Sequence, residues 1–375
     1  MEKVPNVIAF GYAKRALVPG SREYERMREY AATLGSYCLI VFTRKEEGYP
    51  TVQTDGTLTL YATNATSKVG MIFAAYSIAA KIIKTNPGSN FVVSGQDPFA
   101  ASIVPWFLSF KKRVALHVQV HGDVFNPYFF ERDRTAFLKR FFAKLVLVRA
   151  TLVRVVSNRI KDSLTVRGIA ARKIIVLPIQ SDMDAFLKVG HARTTVVKNT
   201  VDFLYVGRFA PEKDVELLLR AFALMVRERP ECRLTLTGAG PMERVYKDYI
   251  TRLGLKETVS ILPWQDNIAE LMGYMDVFCL ASKHEGYAMV LLEALAAGLP
   301  VVTTDVGCVG EVVIDGEVGL VVRGHSAAAY AAALTTIATD TALRTRLKER
   351  TVAVAEKQML TKDAYLQAIK HSYLT

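Results

Sequence analysis

Residues 276–304, DVFCLASKHEGYAMVLLEALAAGLPVVTT, contain the pattern that decides the fold of this 375-residue chain. The apolar run DVFCLAS predicts a buried strand, the polar turn KHEG precedes a helical pattern, and LPVVTT predicts the next strand. This order predicts two parallel strands joined by a covering helix. Two carboxylates, Glu285 and Glu293, interrupt the apolar stretch, so the same residues raise the question of a binding site.

The same alternation of strand and helix patterns runs through both halves of the chain. The predicted strands are NVIAF, YCLIVF, LTLYA, FVVS, VALHVQV, LVRVVS and KIIVLP in the first half, and VDFLYVG, RLTLTG, TVSILP, DVFCLAS, LPVVTT and GLVV in the second. The chain also exceeds the usual size of a single core. The sequence therefore predicts an α/β protein of two doubly wound, Rossmann-like domains facing an interdomain cleft, with ligands bound at the carboxyl ends of the strands.

The segment LPIQSDMDAFLKVGHARTTVVKNT breaks this alternation and predicts a linker between the domains. We expect an N-terminal domain over residues 1–180, a linker over 181–200, a C-terminal domain over 201–357 and a terminal helix over 358–375. That helix contains LTKDAYLQAIKHSYL. It either caps the second domain or crosses back to the first.

The positive charge of the chain is concentrated in its first half. The net charge is +12, but residues 1–190 contain 27 Lys and Arg against 14 Asp and Glu, and residues 111–173 alone contain 15 against 4. Such a concentration predicts an anionic partner. The lack of helix-turn-helix, zinc-finger or RNA-binding patterns favours an anionic membrane surface and makes nucleic acid the weaker alternative. A solvated basic face is the other alternative.

No segment has the charge and length of a secretion signal, and no apolar run approaches the roughly 18 residues that cross a bilayer. The four cysteines are scattered without CxxC spacing, which is typical of reduced core residues. We therefore expect a cytoplasmic protein. It is peripheral on the inner face of the cell membrane if the basic segment binds lipid.

The basic segment RTAFLKRFFAKLVLVRA, residues 134–150, gathers its apolar side chains on one broad side of a predicted helix. This stripe consists of Phe137, Leu138, Phe141, Phe142, Leu145 and Val148. We expect the stripe to pack on the sheet of the N-terminal domain. An interfacial helix that lies on anionic lipid is the alternative.

Glu285 follows a predicted strand and directly precedes a predicted helix. The unpaired amides and the positive dipole of a helix N-terminus form a natural seat for phosphate, and Gly286 lets the backbone approach a ligand closely. Eight residues correspond to about 80° of rotation on an ideal helix, which lets Glu285 and Glu293 face one cleft. In the absence of a ligand, the same two residues are a loop carboxylate and a solvated helix carboxylate.

Neighbouring strand ends carry further candidate residues. The loop after VDFLYVG places Arg208 and Lys213 five residues apart, where two cations either hold a diphosphate or form a solvated pair. RLTLTG leads into a turn at Gly238 and Gly240, which lacks the third glycine of a dinucleotide fingerprint. A tight turn in TTDVGCVGEVV follows the next strand.

Together these motifs resemble the C-terminal domain of retaining GT-B glycosyltransferases, specifically glycosyltransferase family four, also called group 1. The resemblance lies in VGRFAPEKDVELLLRAF, LTLTGAGP, ILPW and EGYAMVLLEALAAGLPVVTTDVGCVGEVVIDGEVGLVV, which cover most of residues 201–323. Looser similarity continues in PGSREYERMREYAATLG and VQVHGDVF. Tyr287 stands where many members have Phe, and PIQSD departs from the common Asn-Gly-Val-Asp.

The resemblance implies transfer of a hexose from a UDP- or GDP-linked sugar to a glycan or lipid-linked glycan acceptor, with retention of configuration and without a metal or other cofactor. It implies catalytic roles for Arg208, Lys213, Glu285 and His121, with the two cations on the departing diphosphate. It implies a donor site that contains Gly207, Gly238, Gly240, Pro263, Trp264, Gly286, Tyr287, Ala288, Met289 and Glu293. Gly20 and Ser21 would lie on the acceptor side.

Two patterns mimic metal sites. His117 and His121 alternate along a predicted strand, where four residues span about 13 Å, too far to share one ion. Asp182 and Asp184 form the triplet DMD, which mimics a metal-binding pattern. This triplet follows a proline in the predicted linker, which argues against a metal site.

Two other functions would use similar residues. A GT-B-fold sugar-nucleotide epimerase shares the diphosphate cradle, but the acceptor-like loop ALVPGSREYERM argues against it. A catalytically silent sugar-nucleotide-binding protein is the other, and the intact Arg208, Lys213, Glu285 and Glu293 argue against it.

Overall fold

The computed structural model describes residues 6–131, 133–193 and 200–374. The chain divides into two compact units, the first formed by Met1–Pro178 with Leu360–Thr375 and the second by Ile179–Met359. Each unit is built around one predominantly parallel sheet. The predicted α/β class with two doubly wound sheets is therefore confirmed.

The first unit contains an eight-stranded sheet. Its strands are β1 (Asn6–Gly11), β2 (Tyr37–Val41), β3 (Val52–Asp55), β4 (Leu58–Ala62), β5 (Phe91–Gly95), β6 (Val114–Val120), β7 (Leu152–Val155) and β8 (Ile174–Val176). Its helices are α1 (Arg22–Leu34), α2 (Lys68–Thr85), α3 (Ile103–Leu108), α4 (Ala136–Arg149), α5 (Asn158–Val166) and, from the C-terminus, α13 (Lys362–Leu374). The strand order is β3-β4-β2-β1-β5-β6-β7-β8.

All pairs in this sheet are parallel except β3 with β4, which is antiparallel. The strand β3 was not predicted from the sequence, because three of its four residues VQTD are polar and half of them are exposed at the sheet edge. The central strands β2 and β5 are buried at every position. Their predominantly apolar sequences follow from helices on both faces of the sheet.

The terminal helix α13 belongs to the first unit. Its residues Tyr365, Ile369 and Tyr373 are buried in the same hydrophobic cluster as side chains of β1, β2, β4 and α1. Lys362 of this helix also forms an ion pair with Glu29 of α1. The chain thus completes the core of its first unit with its last residues.

The second unit contains a six-stranded, entirely parallel sheet. Its strands are β9 (Asp202–Val206), β10 (Arg233–Thr237), β11 (Val259–Leu262), β12 (Val277–Leu280), β13 (Val301–Thr304) and β14 (Gly319–Val322). Its helices are α6 (Asp184–Ala192), α7 (Val215–Met225), α8 (Glu243–Arg252), α9 (Ile268–Tyr274), α10 (Met289–Ala296), α11 (Ala327–Thr339) and α12 (Thr341–Gln358). The strand order is β11-β10-β9-β12-β13-β14.

The predicted linker, residues 181–200, includes the helix α6, which packs against α9 and α10 of the second unit. Residues 194–199 of this segment lie outside the described residues. In the part of the chain that the structure describes, no helix combines the length and apolar character needed to cross a membrane.

The structure contradicts the expected orientation of α4. The side that faces the sheet carries Ala143, Val146 and Leu147, which are fully buried. The broad apolar stripe points outward instead, with Phe137 78% and Phe141 57% exposed. The helical projection predicted the wrong packing side. A narrow strip of small and branched residues is enough to pack the helix on β6, so the bulkier apolar stripe stays exposed to solvent.

Candidate functional site

Five adjacent strand ends bring the predicted donor residues of the second unit to one edge of its sheet. Because β11, β10, β9, β12 and β13 are neighbouring parallel strands, the loops that follow them all emerge at the same edge. These loops contain Arg208 and Lys213 after β9, the two turn glycines after β10, and Glu285 after β12. The topology thus gathers residues that are far apart in the sequence.

Lys213 and Glu285 contact each other directly. The Nζ atom of Lys213 donates to Oε1 of Glu285 at 2.6 Å, and the two side chains are only 19% and 13% exposed. The Oγ atom of Ser282, at the start of the loop after β12, donates to the same oxygen at 2.7 Å. The loops after β9 and β12 are therefore joined by a shielded ion pair that a hydroxyl group supports.

Arg208 lies in a more open position of the same loop. Its guanidinium pairs with the Glu212 carboxylate, and its side chain remains 68% exposed. The carbonyl oxygen of Glu212 accepts a hydrogen bond from the amide of Lys283 at 2.8 Å, which ties the β9 loop to the β12 loop a second time. Both predicted diphosphate cations are thus paired with carboxylates on these two loops.

The turn glycines after β10 are required by close approach of the backbone. A Cβ atom on Gly238 would lie 1.9 Å from the carbonyl oxygen of Gly207, and one on Gly240 would lie 2.4 Å from that of Phe209. The amide of Phe209 also donates to the carbonyl oxygen of Ala239 at 2.9 Å. These glycines let two neighbouring loops lie in backbone contact. Their main role is therefore to set the shape of the site.

The loop after β12 turns sharply into α10. Ala288, directly before the helix, has a left-handed backbone with φ of 63°, and both Tyr287 and Ala288 are buried. A Cβ atom on Gly307, in the loop after β13, would lie 2.6 Å from the carbonyl oxygen of Tyr287. The segment from Gly286 to Met289 therefore packs against the loop that follows β13, which holds it in place.

Helical rotation does not relate Glu285 to Glu293. The helix α10 begins at Met289, so Glu285 lies in the preceding loop and only Glu293 is helical. Glu293 is half-buried on this helix. The expectation that eight residues of ideal helix set the angle between the two carboxylates was wrong, because four of those residues are not helical.

Pro263 and Trp264 follow β11 at the end of the row. The carbonyl oxygen of Pro263 accepts from Oγ1 of Thr237 at 3.0 Å, which links this loop to the end of β10. The indole of Trp264 is 64% exposed. The loop offers backbone groups and an aromatic surface beside the turn glycines.

The predicted acceptor-side residues lie in the first unit. Ser21 is the N-cap of α1, where its Oγ accepts from the Tyr24 amide at 3.1 Å and donates to the Arg15 carbonyl at 2.6 Å. Gly20, just before it, has a positive φ of 79°. Ser21 thus has a structural role that the sequence did not assign, and it holds the start of α1 in place.

His121 follows β6 in the same unit. The residue is exposed to solvent. Partial desolvation by the protein around it, together with the nearby cations Arg154 and Arg26, lowers the pKa of His121 to about 4. The imidazole is therefore neutral at pH 7, when it can donate one hydrogen bond and accept another.

His117, four residues earlier, has a different environment. It is buried, its Nδ1 lies 2.8 Å from Oγ of Ser94, and its ring packs 4.5 Å from that of Tyr373. Burial lowers the pKa of His117 to about 3. Within the described residues no group of three or more His, Cys, Asp or Glu side chains is arranged to hold a metal ion.

Sequence reasoning missed Ser282 and Glu212, which hold Glu285 and Arg208 in place. Ser282 ends the run DVFCLAS, and its position at a strand's carboxyl end was the available signal. A cavity of about 670 Å³ lies elsewhere in this unit, lined by α6, α9 and Asp276 before β12. It contains none of the predicted site residues.

Comparisons with known proteins identify sequences and structures that are similar to this chain. The sequence model of the glycosyl transferases group 1 family matches residues 191–353. The D-inositol 3-phosphate glycosyltransferase of Streptomyces avermitilis is 34% identical over 177 residues, which are 44% of this chain and 38% of that protein. The lipopolysaccharide core biosynthesis glycosyltransferase LpsE of Rhizobium meliloti is 35% identical over 168 residues, 44% of this chain and 48% of that protein. The match thus spans less than half the length of either relative.

Solved structures match nearly the whole chain. Sucrose-phosphate synthase from Thermosynechococcus elongatus has a TM-score of 0.75 at 19% identity and covers 98% of both chains. The Anabaena protein HepE in complex with UDP has a TM-score of 0.72 at 18% identity and covers 98% of this chain and 99% of its own. At these identities the likeness shows the fold, which is that of GT-B glycosyltransferases. The match over residues 191–353 shows that this part of the chain is similar to the glycosyl transferases group 1 family.

Proposed function

We propose that this protein is a retaining glycosyltransferase that moves a hexose from a UDP- or GDP-linked sugar to a glycan or lipid-linked glycan acceptor, without a catalytic metal. The second unit would bind the donor and the first unit the acceptor, in the cytoplasm. The observation that carries this proposal is the shielded contact between Lys213 and Glu285 at the carboxyl edge of the second sheet. A cation and a carboxylate held side by side match the two parts of a nucleotide sugar, its anionic diphosphate and the hydroxyl groups of its sugar.

The cation serves the diphosphate. An ammonium group has three donors, and Glu285 receives one from Lys213, so the others are available to phosphate oxygens. Arg208, more exposed on the same loop, would add a second positive charge that shifts from Glu212 to the ligand. Both would neutralise the negative charge that develops on the leaving nucleoside diphosphate, a stabilisation worth about 10² to 10³ in rate per group.

The carboxylate serves the sugar. Oε1 of Glu285 accepts from both Lys213 and Ser282, which leaves Oε2 to accept from hydroxyl groups of the transferred hexose. Backbone amides of the segment Gly286 to Met289 would contribute beside the N-terminus of α10. Glu293 would bind the ribose hydroxyls, and the loop at Pro263 and Trp264 would contact the base.

The first unit would contribute His121, Gly20 and Ser21. Because the low pKa of His121 keeps its imidazole neutral at pH 7, it would act by hydrogen bonding to a sugar hydroxyl. In this proposal a donor phosphate oxygen takes the acceptor proton, so no side chain needs to act as general base.

Donor binding is tested first, by thermal unfolding of the full chain with UDP, GDP and ADP sugars. A ligand at about 100 times its Kd adds roughly 2.7 kcal/mol of stability. We expect a UDP or GDP sugar to raise the melting temperature, and Lys213→Ala to abolish the rise. Lys256→Ala, an exposed lysine in the same unit, is the matched control. If no nucleotide sugar stabilises the wild-type protein, the proposal fails.

Transfer is tested second, by release of the nucleoside diphosphate with and without candidate glycan and glycolipid acceptors. Acceptor-dependent release is expected of a transferase. An epimerase would instead change the sugar without any acceptor, and a silent binding protein would release nothing. The anomeric coupling constant of the product then decides between retention and inversion.

A further inference from the structure

Three helices of the first unit expose large apolar side chains to solvent. We define the aromatic face as Phe73 of α2, Phe107 and Phe110 in and after α3, and Phe137, Leu138 and Phe141 of α4. Each of these six side chains is between 55% and 78% exposed. Single exposed apolar residues are ordinary on soluble proteins, but a cluster that contains five phenylalanines indicates an interaction surface.

Ring contacts join α3 to α4 within this surface. Trp106 of α3 packs against Phe110 and against Phe142 of α4, with ring centroids 5.2 and 5.8 Å apart. Arg149, at the end of α4, stacks over Phe110 at 5.0 Å. Its guanidinium also donates to the Ser109 carbonyl, which fixes the end of α4 beside α3.

The same surface is basic and carries no acidic side chain on its helices. Residues 68–85, 103–113 and 136–149 contain no Asp or Glu. Exposed cations flank the aromatic face, among them Lys111, Lys112, Arg113, Lys144 and Arg149. Lys111 lies over the ring of Tyr76 at 6.0 Å, so the basic segment also reaches α2.

This combination of chemistry selects an anionic lipid surface. Aromatic and aliphatic side chains enter the boundary between headgroups and acyl chains, and lysine and arginine bind the lipid phosphates beside them. A protein partner would require carboxylates on its own surface to meet so many cations. A nucleic-acid duplex would meet the cations but would leave five phenylalanine side chains without an apolar partner.

We infer that the first unit docks on an anionic bilayer through the aromatic face and the cations beside it. This docking goes beyond the proposed transfer and does not depend on it. It would place the unit assigned to the acceptor at the surface where a lipid-linked acceptor resides. The surface involves none of the residues proposed to bind the donor.

Sedimentation of the full chain with vesicles tests this inference. Vesicles of phosphatidylcholine alone are compared with vesicles that contain about 30% phosphatidylglycerol, at low and at high salt. Anionic lipid is expected to recover the protein in the pellet, and high salt to release most of it because exposed charges are screened. Phosphatidylcholine vesicles should recover little.

Two variants separate the apolar and the charged contributions. Phe137→Ser with Phe141→Ser should weaken binding to anionic vesicles at least about tenfold, because these rings enter the bilayer boundary. Lys111→Glu with Lys144→Glu should weaken it at least about 25-fold, since each cation lost near the surface costs about fivefold. The matched control is Lys256→Glu with Lys357→Glu, two exposed lysines of the second unit, which should bind like wild type.

The folded state of each variant is checked by the fluorescence of Trp106 and by thermal unfolding. Wild-type protein that does not sediment with anionic vesicles overturns the inference, as does equal loss of binding in the control variant. Concentration-dependent dimerisation that the phenylalanine variant abolishes, without vesicle binding, would identify a second copy as the occupant and would also overturn it.

Discussion

The strand-end loops of the second unit and the helices α2 to α4 of the first unit use charge in opposite ways. In the second unit, Lys213 is paired with Glu285 on a neighbouring loop and Arg208 with Glu212 on its own loop. On α2, α3 and α4, cations lie beside aromatic rings and the helices contain no carboxylate at all. Cations paired with carboxylates on strand-end loops suit a small ligand held at defined atoms, whereas exposed cations around an apolar surface suit a broad anionic surface.

The two regions also differ in what fixes their shape. The strand-end loops of the second unit are locked by backbone contacts, such as the approach of Gly238 to Gly207, which a side chain would destroy. The exposed surface of α4 consists of the side chains that do not pack on the sheet, since Ala143, Val146 and Leu147 make that contact. The first arrangement tolerates little change, and the second should tolerate much.

The largest effect is expected from the shielded cation. Lys213→Ala should reduce transfer by about 10² to 10³, because it removes a preorganised charge from the leaving diphosphate. Arg208→Ala should cost at least about a hundredfold for the same reason. Initial rates of nucleoside diphosphate release measure both, with Lys256→Ala as the control. Near-normal transfer in a folded Lys213→Ala protein would remove the contrast between the cations of the two regions.

The next effect concerns the locked backbone. Gly238→Ala should lower the free energy of unfolding by about 3 kcal/mol, because its Cβ would collide with the Gly207 carbonyl. Gly254→Ala is the matched control, since that glycine also has a positive φ but open space around it, and should cost about 1 kcal/mol. Urea unfolding followed by Trp264 fluorescence in a Trp106→Phe background reports this unit. Equal costs at the two glycines would show that close approach is not what fixes the loops.

A smaller effect separates the interior of the first unit from its tolerant surface. The pKa of buried His117 is lowered from 6.5 to about 3, so the unfolded chain binds its proton at a higher pH than the folded one. The stabilisation is fully present above pH 6.5 and is lost as the pH falls toward 3. As the pH falls from 6.5 to 5, proton uptake by His117 in the unfolded chain should lower the free energy of unfolding by about 2 kcal/mol.

The difference between wild type and His117→Gln isolates this contribution, because His121 and the carboxylates titrate in both proteins. Urea unfolding followed by Trp106 in a Trp264→Phe background reports the first unit. The variant should lose about 2 kcal/mol less than wild type over the same pH interval. Identical losses would mean that His117 takes up its proton without unfolding.

The central strands of the second unit could be predicted because parallel strands buried on both faces have nearly continuous apolar runs. Their topology then brings Arg208, Lys213 and Glu285 to one edge, which is why spacing and strand ends identified candidate residues. The edge strand β3 could not be predicted, because half-exposed residues such as Gln53 do not require an apolar pattern.

The orientation of α4 could not be predicted for a different reason. A helical projection shows which side is apolar, and it does not show which side the neighbouring sheet can accommodate. The pairing of Lys213 with Glu285 also needed the structure, because 72 residues separate them. The capping role of Ser21 depends on local backbone geometry that its position in PGSREYERM only suggests.

The central claim is that Lys213 binds the diphosphate and Glu285 binds the sugar of one nucleotide sugar. The position of UDP or GDP in crystals of the full chain tests it most directly. We expect diphosphate oxygens about 3 Å from Nζ of Lys213, with the sugar side of the ligand toward Glu285. A diphosphate bound elsewhere, for example in the cavity beside α6 and α9, with the Lys213–Glu285 pair untouched, would contradict this account.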